Sequence, residues 1–420
     1  MKPLLAWALA LICTALAWGQ PAASQDTCLE CHALLEGSLA RPAEAFVDDI
    51  HRQSAVTCAG CHGGDPSSAD PEISMSPAKG FRGKISRQDT PAMCARCHSD
   101  AEMIRRFKPQ QRVDQFAQYR TSVHGQKLAA GDLKVANCVD CHSVHDIREV
   151  RHALSPVHPL RLPQTCARCH ADAEHMEGYG IPTDQFAKYE RSVHWHAVSV
   201  RRDLSAPTCA TCHGNHGATP PGVTSVENVC GNCHVVFQRL FDESPHKAAF
   251  ESMGMAACIV CHSNHEIVQP TVSMLGVAEG AVCVDCHSEG ETAYAVAAGM
   301  REQLDKLSGA LDNAEGILEK AEQSGMEVSQ GQIEMAAAHE AWIKARVQVH
   351  AFRLDAVEQD ASEGLKLAQT SYETGQHALE ERDFRRTGLA FSLLTIVLTM
   401  AGLWLAVRQI ESGKSRAGPG

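Results

Sequence analysis

Eighteen of the nineteen cysteines obey one pattern, Cys-x-x-Cys-His, and only Cys13 stands outside it. The nine copies are Cys28, Cys31 and His32; Cys58, Cys61 and His62; Cys94, Cys97 and His98; Cys138, Cys141 and His142; Cys166, Cys169 and His170; Cys209, Cys212 and His213; Cys230, Cys233 and His234; Cys258, Cys261 and His262; and Cys283, Cys286 and His287. The spacing has a mechanical meaning. Two thiols three residues apart can add to the two vinyl groups of one haem, and the histidine that follows is placed to ligate the iron from the proximal side. Nine copies predict nine covalently attached haem c groups. C-x-x-C pairs also build zinc ribbons, but ribbons need no histidine after each pair. Disulfides would leave the 23 histidines unexplained, and a thioredoxin-like redox pair needs one copy rather than nine.

A six-coordinate iron needs a second axial ligand, and the sequence offers candidates at repeated positions. Four doublets of motifs begin at Cys28 and Cys58, Cys94 and Cys138, Cys166 and Cys209, and Cys230 and Cys258, with the motif at Cys283 alone. Between the two motifs of each doublet stands an isolated histidine: His51, His124, His194 and His246. Two of these share a context, FAQYRTSVH ending at His124 and FAKYERSVH ending at His194, an internal repeat. A further histidine follows the second motif by three residues at His145, His216 and His265, whereas Asp65 holds that place in the first doublet. Three residues beyond a proximal ligand, such a side chain points away from its own iron and is expected to serve a neighbouring one. These seven are the expected distal ligands. His158 and His175 are the next candidates, with His152 and His196 read as bystanders. Met103, at the repeat position of His175, is read as packing.

These features resemble the multihaem c-type cytochromes with doubled CxxCH motifs, over Cys28 to His287. The resemblance implies closely stacked haems and electron transfer in an anaerobic respiratory chain. The implied partners are a quinol-oxidising complex, other cytochromes and a terminal reductase. Some members are enzymes. Multihaem nitrite reductases often carry lysine in place of one motif histidine, which no motif here does. Hydroxylamine oxidoreductases use a tyrosine crosslink, while Tyr119 and Tyr189 here are repeat equivalents and read as packing. A reductase of nitrogen or sulfur oxyanions with one open haem, near Arg52 or Lys84, is the alternative.

The rest of the chain must position these groups. The formal charge of −12 argues against a nucleic-acid partner, since phosphate binding needs a basic face. With only 5% aromatics, the core needs another filler, and macrocycles serve. The predicted fold is therefore a haem-packed, mostly irregular and short-helical domain over residues 20–288. Residues 1–19 read as a signal peptide, and Cys13 is discarded with it. From 289 to 386 the apolar residues Leu304, Leu307, Leu311, Ala314, Leu318 and Ala321 form a heptad seam. A second stripe runs through Ile343, Val347, His350, Leu354, Val357 and Ala361. The expected result is an antiparallel helical hairpin, a stalk through which two copies can dimerise. His339 and His350, eleven residues apart, share a helix face from which they could reach a haem such as the ninth, but are read as surface and seam residues; His377 is read as solvated. Residues 387–407 carry no charge and are long enough to cross a bilayer core of ~30 Å. The signal peptide places the haem domain on the periplasmic side, leaving 408–420 as a cytoplasmic tail.

Overall fold

The computed structural model describes residues 26–220, 223 and 225–416. The signal peptide expected at 1–19, with Cys13, and the last residues of the tail lie outside them. Among the described residues there is no β-strand. The chain divides into two units. One comprises residues up to Val229 together with Asn264–Val268, and the other comprises Cys230–Ser263 and Gln269 onward. This boundary groups the last three motifs with the helices that follow them, rather than with the first six.

The first unit is a succession of short helices and turns. The first motif of a doublet ends a helix: Thr27–His32, α1 (Thr90–His98) and, further on, α3 (Leu162–His170). The second motif is a single turn that starts at its own cysteine, as in Cys58–His62, Cys138–His142 and Cys209–His213. Capping explains where those turns begin. Asn137 and Thr208 precede the motif cysteine and form reciprocal capping boxes with Asp140 and Thr211. Between the motifs of the second and third doublets run α2 (Val123–Ala129) and α4 (Val193–Ser199). Each is capped by the serine of the S-x-H repeat. Ser122 Oγ accepts from Gly125 N–H and donates to Tyr119 O, and Ser192 Oγ does the same with Trp195 and Tyr189. The cap thus fixes the histidine two residues later, at the second position of its helix.

In the second unit Ser244 precedes α5 (Pro245–Met253), where its Oγ donates to Phe241 O but makes no cap bond to the helix. Three long helices follow: α6 (Thr292–Gln323), α7 (Ser329–Gln348) and α8 (Leu354–Arg416). The expected hairpin is therefore a three-helix bundle. The seam residues Leu304, Leu307, Leu311, Ala314, Leu318 and Ala321 are all buried, and they pack with Ala338 and Ala345 of α7 and Val357, Ala361 and Ala368 of α8. Gly364 permits this approach, since a Cβ there would lie 2.8 Å from a Leu307 methyl. The second stripe read as one helix is interrupted. Helix α7 stops at Gln348, a single 3-10 turn spans Val349–Ala351, and Phe352 takes a left-handed conformation at φ 52°. Apolar periodicity continues across the break, so the pattern alone conceals it. Beyond residue 383 the side chains of α8 are exposed although apolar, including Leu389, Phe391, Val397 and Leu403. An 18-residue window there has mean hydropathy 2.1 and no buried share, so this one helix is long and apolar enough to cross a membrane.

Candidate haem centres

The motif histidines do not stand alone. In the first unit the ring of His51 lies 6.0 Å from that of His98, His62 lies 6.1 Å from His145, and His124 lies 6.0 Å from His170. His142 lies 6.1 Å from His216 and His213 lies 5.8 Å from His265. In the second unit His246 lies 6.0 Å from His287 and His262 lies 6.0 Å from His350. Two imidazoles on opposite sides of one iron, each with a metal–nitrogen bond of about 2 Å, leave their ring centres about 6 Å apart. Among the described residues, at least seven of the nine motif histidines thus face a second imidazole at the separation a shared iron requires.

The pairs obey a rule. A first-motif histidine faces the isolated histidine of the doublet before it: His98 faces His51, His170 faces His124 and His287 faces His246. A second-motif histidine faces the CHxxH histidine of the doublet after it: His62 faces His145, His142 faces His216 and His213 faces His265. Ring planes separate the same two classes. The first-motif pairs cross at 89°, 63° and 88°, while the second-motif pairs are nearly parallel at 22°, 6° and 13°. His262 and His350, at 15°, belong to the parallel class.

Local structure holds the rings. His32 Nδ1 lies 2.9 Å from Leu39 O, His62 Nδ1 2.7 Å from Gly83 O and His51 Nδ1 2.9 Å from Asp49 Oδ1. When Nδ1–H donates to such an oxygen, the Nε2 lone pair is left for a metal. Burial pushes the pKa of His98, His124, His170 and His213 down, and that of His142 to about 4. These imidazoles are therefore neutral near pH 7, the form that binds metal. Asp49 is buried, which would raise its pKa, but hydrogen bonds from His51 and Ile147 outweigh this and keep it ionised.

The CHxxH loops carry backbone strain at their second histidine. The residue after each second-motif histidine has positive φ: Gly63, Ser143, Gly214 and Ser263. His145 and His265 themselves are left-handed, at φ 62° and 52°. Non-glycine residues in such conformations cost of order 1–3 kcal/mol and persist where the surroundings over-determine them. Ile50 N–H donates to Ile147 O and Val193 N–H to Ile267 O, both at 2.8 Å. These bonds tie the S-x-H segment of one doublet to the loop of another.

The doublets are also physical units. The first cysteines of the two motifs touch, Cys94 with Cys138, Cys166 with Cys209 and Cys230 with Cys258. Asp26 accepts from Cys58 N–H at 3.0 Å while capping the helix that holds Cys28. Consecutive doublets are joined by the arginine inside CARCH. Arg96 Nη2 donates to Gly60 O at 2.9 Å, and Arg168 Nη2 to Asp140 O at 2.6 Å, the same position of the preceding motif. Tyr119 and Tyr189 donate to Ala136 O and Pro207 O, two residues before the next motif.

Other candidates lie elsewhere. His158 is buried, but its Nδ1 accepts Leu160 N–H and no motif ring lies against it among the described residues. His175 sits just beyond α3, in the turn Ala173–Met176, and among the described residues no motif ring is paired with it. His194 holds its repeat position in α4. His350, read from sequence as a seam residue, stands in the break between α7 and α8. Its only signal in the sequence is a shortage of distal histidines for nine motifs. His339 pairs with Glu315 at 2.6 Å.

The arrangement suits haem better than a protein-caged metal. Among the described residues no three His, Cys, Asp or Glu side chains converge on a metal position. A zinc site needs four protein donors; a haem iron needs only two axial ones, because the macrocycle provides the rest. No curated protein and no solved structure matches the chain. The profile of the cytochrome c3 family matches residues 50–171 and 201–288, which is half of the chain. The chain belongs to the cytochrome c3 family, whose members hold covalently attached c-type haems.

Proposed function

We propose that the chain is a membrane-anchored nonahaem cytochrome that carries electrons on the periplasmic face of a cytoplasmic membrane, without substrate chemistry of its own. Each motif is assigned one haem, and each such group supplies a one-electron couple when bound. The observation that carries this reading is the set of seven imidazole pairs about 6 Å apart. The chain's part is to hold two neutral imidazoles per iron, close the sixth position to water, and set potentials through the partners of Nδ1. The Arg96 and Arg168 links and the paired cysteines keep neighbouring sites in register. The span at 387–407 anchors the protein, with 408–420 on the cytoplasmic side. The exchange partners are a quinol-oxidising complex, other cytochromes and a terminal reductase. Pyridine haemochrome counting on purified protein tests this: nine haems per chain are expected, and fewer would remove at least one motif from the assignment.

A second reading has one observation in its favour. No imidazole faces His32 among the described residues, and residues 1–25 contain no histidine. The pairing rule draws such a partner from the doublet before, and residues 1–27 hold no C-x-x-C-H motif. The haem at Cys28 and Cys31 is the place for an open iron, and with it a reductase activity on nitrogen or sulfur oxyanions. A high-spin ferric signal in electron paramagnetic resonance, lost on cyanide addition, is the expected sign. Its absence removes the reductase reading.

A further inference from the structure

The pairing rule runs out at the C-terminal end of the array. A second-motif histidine draws its partner from the CHxxH histidine of the following doublet. The ninth motif, however, is followed by Ser288, Glu289 and Gly290, with no histidine at that place. His262 nevertheless faces an imidazole, that of His350, at 6.0 Å with ring planes 15° apart. This matches the other second-motif pairs in both distance and angle. His350 lies outside the two regions of the family match, 63 residues beyond the last motif histidine, His287.

We propose that His350 is the sixth ligand of the haem attached to Cys258 and Cys261, so that the three-helix bundle caps the C-terminal end of the haem array. Three further observations support it. Helix α7 ends at Gln348, and Phe352 is left-handed at φ 52°. Such strain in a bulky residue marks a site where position is over-determined. Nδ1 of His350 is 3.1 Å from Val347 O, which leaves the Nε2 lone pair for a metal. The ring is held edge-on by Phe237, with ring centres 4.8 Å apart. His350 stands four residues before Leu354, where α8 begins, and α8 continues into the apolar span.

The inference rests on the assignment of a haem to each motif, and the test separates the two. Full-length protein in detergent is compared as wild type, His350→Ala, His350→Met and His339→Ala. Pyridine displaces axial ligands, so haemochrome counting reports haem number independently of His350. His350→Ala is expected to keep the haem count and to gain one high-spin haem, with about one more CO bound per reduced chain than wild type. Added imidazole is expected to restore the low-spin spectrum. His350→Met is expected to stay low-spin but to show a sulfur-to-iron charge-transfer band and a raised potential for one haem. His339→Ala is expected to match wild type. A full haem count with unchanged spin state and CO uptake in His350→Ala would overturn the ligand assignment alone. If His350→Ala does not accumulate, a wild-type spectrum and potential in His350→Met overturns it. A wild type short of haem would instead overturn the assignment of one haem per motif.

Discussion

One carboxylate oxygen of Asp49 binds His51 twice. Oδ1 accepts the backbone N–H of His51 at 2.8 Å and its Nδ1–H at 2.9 Å, while Oδ2 takes Ile147 N–H at 2.8 Å. The cap that starts the helix is therefore also the orienting partner of the imidazole that faces His98. His246, at the equivalent repeat position, has a buried Nδ1 with no hydrogen-bond partner among the described residues and packs on Phe352. A carboxylate on Nδ1 makes imidazole a stronger donor and stabilises the ferric state. Asp49→Asn is expected to raise the potential of one haem by on the order of 50 mV, about a tenfold change in a one-electron equilibrium. It should also cost roughly 1–3 kcal/mol of stability. Potentiometric titration followed by paramagnetic resonance checks the first, and chemical denaturation the second.

The two ring geometries predict two families of low-spin spectrum. Crossed imidazoles leave the iron d orbitals along their planes nearly equal in energy, giving a large maximum g value. Parallel imidazoles split them and give a rhombic spectrum. His51→Ala, which opens a pair crossed at 89°, should remove intensity from the large-g signal. His216→Ala, from a pair at 6°, should remove rhombic intensity. The reverse assignment, or one common signal, counts against the geometry.

Gly63 is required by space as well as by conformation. A Cβ there would lie 2.0 Å from Gly80 O, at φ 71°. Gly63→Ala is expected to destabilise the holoprotein by roughly 2–4 kcal/mol. Ser143→Gly, at the same place in the second doublet, relieves a strained φ of 73° but loses the hydroxyl contact with Asp146. It should change stability by less than about 1 kcal/mol. Thermal melts of the two variants side by side make the comparison.

Arg168 joins one doublet to the next through a single carbonyl. Arg168→Ala should cost about 1–2 kcal/mol, and lysine should rescue it only partly, because it lacks the planar fork that also places Nε near Thr165 O. Haem count should not change, which distinguishes a positioning residue from an attachment residue.

The apolar half of α8 should behave as a bilayer span. Val397→Arg, at its centre, is expected to weaken insertion by about 2.5–3.5 kcal/mol and shift protein from the membrane to the soluble fraction. Unchanged partition after carbonate extraction would remove the anchor.

Attachment chemistry is legible in the sequence because it is local: five consecutive residues hold both thioether positions and the proximal ligand. The repeat made the doublets and their isolated histidines visible as well, and the heptad seam marked α6. Which imidazole faces which iron is not local. His62 meets His145 and His142 meets His216 only because capped turns, strained CHxxH loops and bonds such as Ile50 to Ile147 fold separate doublets against each other. The break at 349–353 was hidden because apolar residues keep their spacing through it, and with it the place of His350. The sequence by itself determined how many C-x-x-C-H motifs there are and where each begins. Only the tertiary structure decided how they are closed, since a second axial ligand is chosen by distance in space across tens of residues of chain.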